Sequence, residues 1–198
     1  TQETVTEAAV NTQALQTVAE NNADVVIEMT DVTVKLDAKA VQAVTQQADG
    51  ENIEIKVVKV AEETLTPQQQ AVLEDKETAV VVTAQIFSDD EYIGDFEGGT
   101  ATIMLPFTPA AGTQAKDYVV YYLADNGTLE KVNAEYVNGH MIFTTSHFSD
   151  YVIVNEKQPD EVIRVKGKTR YETSIAIANE TKAKMGVDKF DNIIIASG

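Results

Sequence analysis

The chain contains no cysteine, which excludes disulfide cross-links and thiolate metal sites, and its two histidines, His140 and His147, are too few for an imidazole metal cluster. Long apolar runs are missing as well. The longest, such as "YVVYYL" and "NIIIA", fall far short of the ~18 residues that a membrane helix needs, so no membrane span is expected. No G-x-S-x-G elbow, Walker loop or HExxH pair occurs, and no cofactor is expected. The chain opens on Thr1 without Met or a signal-type apolar segment and reads as a mature or excised piece.

What is present is a hydrophobic fraction of 43% over 198 residues, enough for a real core in one large domain, or in one domain plus part of another. The formal net charge is −17, and it is unevenly placed. Residues 1–160 carry 27 acidic and 8 basic side chains, whereas residues 161–198 carry 5 and 7. The body should therefore repel polyanions, which argues against a nucleic-acid partner, while the C-terminal segment alone suits one.

Along the chain, "TQETVTEAAV" (1–10) is polar and reads as a flexible leader. Thr12 is expected to cap a short helix carrying Leu15, Val18 and Ala19, Asp37 to cap "AKAVQAVTQQA", and Thr66-Pro67 to open a third helix. Period-two alternation marks strands between them, with Val32, Val34 and Leu36 on one face and Ile53, Ile55 and Val57 turned inward. From Thr78 onward the pattern is nearly all strand, punctuated by Asn126-Gly127 and Asn138-Gly139 as hairpin turns. Roughly nine short strands with a few short helices predict a mainly β fold, a β-sandwich with helices on its connections, over residues 11–154. Residues 155–161, "NEKQPDE", have the composition of a linker. Residues 162–198 then change period. A short strand, a capping box at Thr169 and Glu172, a helical stripe and the apolar "NIIIA" make an incomplete βαβ unit of α/β type.

The stretch "RVKGKTRYETSIAIANETKAKMGVDKFDNIIIASG", Arg164 to Gly198, resembles the opening of the cell-wall-binding repeat 2 family of Gram-positive surface proteins. The resemblance rests on Arg164, Gly167, Arg170-Tyr171-Glu172-Thr173-Ser174 and "IIIASG", and it covers about a third of such a repeat. It implies a secreted, S-layer-like protein held at the cell surface by tandem α/β repeats that bind an anionic wall polymer noncovalently. Upstream, "LPFTPAAGTQAKDYVVYYLADNGTLEKVNAEYVNGHMIFTTSHFSDYVIV" is similar to the β-domains that accompany wall-anchoring repeats and serve as extracellular spacers or adhesion modules. Its "HFS" is similar to the autoproteolytic sites of certain eukaryotic sandwich domains.

Three groups of side chains are candidates for chemistry. Arg164, Lys166, Lys168 and Arg170 alternate along an extended segment that leads into a helix N-terminus, an arrangement suited to phosphate or carboxylate groups on a polymer. At His147-Phe148-Ser149, self-cleavage would need Ser149 to attack the Phe148 carbonyl with His147 as base. In an extended strand residues i and i+2 lie ~7 Å apart, against the ~3 Å of direct proton transfer, so a structural role is expected: Phe148 in the core, Ser149 and Asp150 at a bend, His147 hydrogen-bonded across strands. Asp89, Asp90, Glu91 and Asp95 offer oxygen ligands for calcium but lack EF-hand spacing, and no bound metal is expected. Of Tyr121 and Tyr122, which alternate faces, one should be core and the other solvent-facing, where a sugar could stack.

Together these features imply a noncatalytic extracellular spacer or adhesion module joined to the truncated start of a wall-anchoring repeat. Other readings are an accessory module of a cell-wall hydrolase, a self-cleaving sandwich, or an adhesion module whose partner is a neighbouring surface protein or a host glycan.

Overall fold

A computed structural model of the chain describes residues 4–156. The expected βαβ unit at 162–198 lies outside the described residues. Within them the fold is mainly β, built from two antiparallel sheets and three short α-helices, consistent with a β-sandwich. The elements are β1 (Thr4–Asn11), α1 (Thr12–Glu20), β2 (Val25–Glu28), β3 (Thr33–Leu36), α2 (Ala38–Gln47), β4 (Asn52–Val60), α3 (Pro67–Leu73), β5 (Glu77–Ser88), β6 (Glu91–Tyr92), β7 (Ala101–Pro106), β8 (Tyr118–Leu123), β9 (Leu129–Lys131), β10 (Ala134–Val137), β11 (His140–Thr145) and β12 (Asp150–Asn155). One sheet has the order β1-β4-β5-β12-β8-β9, with β6 paired to β5 beyond β12, and the other has the order β10-β11-β7-β3-β2.

The two inner faces form the main core. Val34 and Leu36 from one sheet meet Ile53, Ile55 and Val57 from the other, all buried as the alternation requires. Both α1 and α2 lie on connections between the sheets, and Leu15, Ala40, Val41 and Val44 carry them into the same core. Asp37 caps α2 as expected, accepting the Ala40 N–H at 2.8 Å. At the start of α1 the cap is Asn11, which accepts from the Ala14 N–H at 3.2 Å. Thr12, expected there, is instead buried inside the first turn and donates its hydroxyl to the Gly50 carbonyl at 2.8 Å. Thr66 and Gln69 complete a capping box at α3, with Pro67 at the first helical position.

The leader expected at residues 1–10 is corrected over residues 4–10. They form most of β1, paired with β4 from Thr4↔Lys59 to Asn11↔Asn52. Thr6 is buried, and Ala8 and Val10 pack against the core, so a polar-looking segment still supplies one apolar row to the sheet edge. A second departure concerns "LEKVNA", which by its pattern reads as one strand. Here β9 belongs to one sheet and β10 to the other, with the chain crossing between them at Val132 and Asn133. The third concerns "DYVIV", an alternating pattern whose Tyr151, Val152, Ile153 and Val154 are all buried. Tyr151 and Ile153 face the main core, whereas Val152 and Val154 meet Leu65, Leu73, Val81 and Leu123 in a second cluster beneath α3.

Candidate functional site

Between β11 and β12 the chain leaves one sheet for the other, and His147-Phe148-Ser149 lies on that crossing. Strand pairing fails there because the two flanking strands belong to different sheets, so side chains and isolated backbone bonds must satisfy the exposed polar groups. The Phe148 N–H donates to the Gly94 carbonyl at 3.1 Å, and the Ser149 carbonyl accepts the Ala84 N–H at 2.9 Å. The Phe148 carbonyl accepts the Tyr92 hydroxyl at 2.6 Å. The Phe148 ring is buried and meets Phe96 edge-on, with ring centroids 5.1 Å apart. His147 also forms a single antiparallel bridge with Asp95.

Around the His147 carbonyl the hydroxyls form a small cycle. It accepts the Tyr151 hydroxyl at 2.6 Å and the Thr145 hydroxyl at 2.8 Å, and Thr145 Oγ1 stands 2.6 Å from Tyr151 Oη. Burial pushes the Tyr151 phenol well above the ordinary tyrosine value, so it stays a proton donor throughout the physiological range. Burial raises Tyr92 too, with the negative charge of Asp150 nearby acting in the same direction.

The imidazole points elsewhere. His147 Nδ1 lies 3.4 Å from Ser146 Oγ, and the ring meets Tyr122 edge-on with centroids 4.6 Å apart. Among the described residues, no hydrogen bond links the His147 ring to the Ser149 hydroxyl. The crossing therefore brings a donor to the Phe148 carbonyl but makes no direct hydrogen bond from the His147 ring to the Ser149 hydroxyl, the contact that direct proton transfer between them requires. The bend expected at Ser149 and Asp150 is better described as the entry to β12, where Asp150 accepts from Thr83 Oγ1 at 2.6 Å and from Gln69 Nε2 at 2.9 Å.

Gln69 is a residue that the sequence reading missed. It is buried, and its amide donates to the Leu123 carbonyl at 3.2 Å as well as to Asp150, while its oxygen accepts the Thr66 N–H at 2.9 Å. One side chain thus caps α3 and ties it to β8 and β12. The capping-box spacing signalled the first task, but nothing local signalled the second.

The acidic group does not assemble. Asp89 and Asp90 form the turn between β5 and β6, with Asp89 at φ 49°, and Glu91 begins β6. Asp95 accepts the Glu97 N–H in a local turn. Among the described residues no three His, Asp or Glu side chains converge to hold a metal ion, which corrects the calcium alternative at Asp89, Asp90, Glu91 and Asp95. The expected solvent-facing tyrosine is also corrected. Tyr122 packs against the main core, and Tyr121 is half-covered on the outer face, donating to Glu156 at 2.9 Å with Lys76 Nζ 5.9 Å from its ring centroid.

Arg164, Lys166, Lys168 and Arg170 lie outside the described residues. Compared with known proteins, the chain matches no family model and no curated protein. No helix among the described residues is long and apolar enough to cross a membrane.

Proposed function

We propose that this chain is a noncatalytic extracellular spacer module joined to the start of a repeat that fastens a Gram-positive surface protein to an anionic wall polymer. The observation that carries the reading is the basic pattern at Arg164, Lys166, Lys168 and Arg170, set within the repeat-like stretch Arg164–Gly198 and following an acidic body. A polyanion is repelled by residues 1–160, with 27 acidic and 8 basic side chains, and is attracted by the segment beyond them. Each repeat holds the polymer weakly, and repeats linked in tandem hold it firmly, because every later contact is made at high local concentration. The sandwich suits the spacer role. Its crossing at His147–Ser149 directs its hydroxyls and carbonyls into bonds that serve the fold.

Binding of the intact surface protein to purified wall, followed by sedimentation over a range of salt, tests the reading. Binding should weaken as salt screens the charges and should fall further when Arg164, Lys166, Lys168 and Arg170 are replaced by Gln. Wall binding that ignores both salt and the four substitutions removes the anchoring assignment.

A further inference from the structure

β1 is the longest edge strand among the described residues, and its outer edge pairs with no described strand. Natural edge strands are usually shortened, charged or broken by proline, because a bare row of N–H and C=O groups recruits other chains. The remaining edges follow that rule: β9 has three residues including Glu130 and Lys131, and β2 and β10 have four each with Glu28 and Glu135. β1 does not. It runs for eight residues, "TVTEAAVN", with Glu7 as its one charge and no proline. Val5 on its outer face is 55% exposed.

The space beside this edge is also open. At the Asn11 end of β1, α1 closes the gap between the sheets, its first residue Thr12 bonded to Gly50 and Glu51. At the other end an opening of about 240 Å³ remains among the described residues. Its walls are Val32, Val57, Val82 and Leu105, with Thr6, Asp31 and Lys59 among its polar lining. The inward row of β1 here is Thr6 and then Ala8, side chains too short to fill the space beneath a sheet edge.

From these two features we infer that the outer edge of β1 binds an extended, basic peptide strand of a partner protein, which adds to the sheet and turns an apolar side chain inward beside Thr6, at the mouth of the opening. Main-chain bonds along the bare edge hold such a strand, and the opening selects among its side chains. The charge of the partner follows from this chain. Residues 1–160 carry more than three acidic side chains for each basic one, so a basic segment approaches fastest and an acidic one is repelled. The inference does not depend on wall anchoring.

Its test uses the full chain at physiological salt and a synthetic peptide matching the eight residues of β1 in length, in which Lys and Thr alternate with Val and a central Leu. Two further peptides of the same sequence carry N-methyl groups on alternate backbone amides, one along each edge. The methyl groups keep the charge and the side chains but block pairing along the methylated edge. The unmodified peptide should bind at least about tenfold more tightly than the peptide methylated along the edge that faces β1, which loses several backbone bonds, and about as tightly as the peptide methylated along the opposite edge. Hydrogen exchange should show alternate β1 amides exchanging freely in the unbound chain and slowing by about tenfold or more on saturation, with β2, β9 and β10 unchanged. Ala9→Lys should weaken binding without unfolding the chain, since residue 9 lies on the exposed face and the added charge repels a basic peptide. Equal binding of all three peptides, protection at another edge, protection of the outer β1 amides before peptide is added, or no binding of any peptide would each overturn the inference.

Discussion

The Tyr151 hydroxyl donates to the His147 carbonyl oxygen at 2.6 Å, tying the start of β12 back to the point where the chain leaves the other sheet. The bond spans four residues and closes the corner of the sandwich, much as a tyrosine corner does in other two-sheet folds. Tyr151→Phe should lower stability by about 1–2 kcal/mol, since the Thr145 hydroxyl keeps one bond to the same carbonyl. The phenol also gives this a pH signature. Its folded pKa lies above the unfolded value of 10.0, so its contribution is full below pH 10.0 and is lost as pH rises through the folded value. Urea titrations of both proteins should therefore differ at neutral pH and converge under strong alkali.

The Phe148–Ser149 bond should stay intact. The Tyr92 hydroxyl polarises the Phe148 carbonyl, but the His147 ring is turned toward Ser146 and Tyr122. Intact-mass spectrometry after long incubation, with and without hydroxylamine, should return the full-length chain. Two fragments meeting at this bond, and lost in Ser149→Ala, would show that the crossing rearranges into a cleavage site.

At Asp37, burial alone would raise the carboxyl. The N–H groups of Ala40, Thr100 and Lys39 and the Thr100 hydroxyl outweigh burial and hold it below the ordinary aspartate value. Asp37→Ala should cost about 0.5–2 kcal/mol at neutral pH, the range for loss of a helix N-cap. Because the folded pKa is depressed, the stabilisation is complete above the unfolded value of 3.8 and disappears as pH falls through the folded value. Melting curves of the two proteins should approach one another in that acid window.

Gly99 and Gly139 should respond very differently to alanine. A Cβ on Gly99 would stand 2.2 Å from the Ala40 nitrogen at the start of α2, a backbone atom that cannot yield without moving the helix. Gly99→Ala should cost more than about 3 kcal/mol or prevent folding. At Gly139 nothing lies near a Cβ, but φ is +83°, so the same change should cost only about 1–2 kcal/mol, the penalty of a left-handed alanine. Circular dichroism during thermal unfolding separates the two outcomes.

Much of the strand and helix content was legible in the residues themselves. Alternation placed Val34, Leu36, Ile53 and Ile55 inward, Asp37 and Thr66 marked helix starts, and Asn138-Gly139 formed a hairpin turn with both residues at positive φ. These features depend on neighbours a few positions away, and side-chain period, cap geometry and turn chemistry are written at that range. The tertiary structure decided which sheet each strand joins. It made an edge strand of a polar leader by pairing Thr4 with Lys59, and it buried both faces of β12 by setting α3 over Val152 and Val154. It placed His147-Phe148-Ser149 at a corner between sheets, where the imidazole and the Ser149 hydroxyl do not meet. Such outcomes follow from contacts between residues tens of positions apart, where the gain from burying area and completing hydrogen bonds outweighs local preference, and a local pattern carries no record of the partner it will meet.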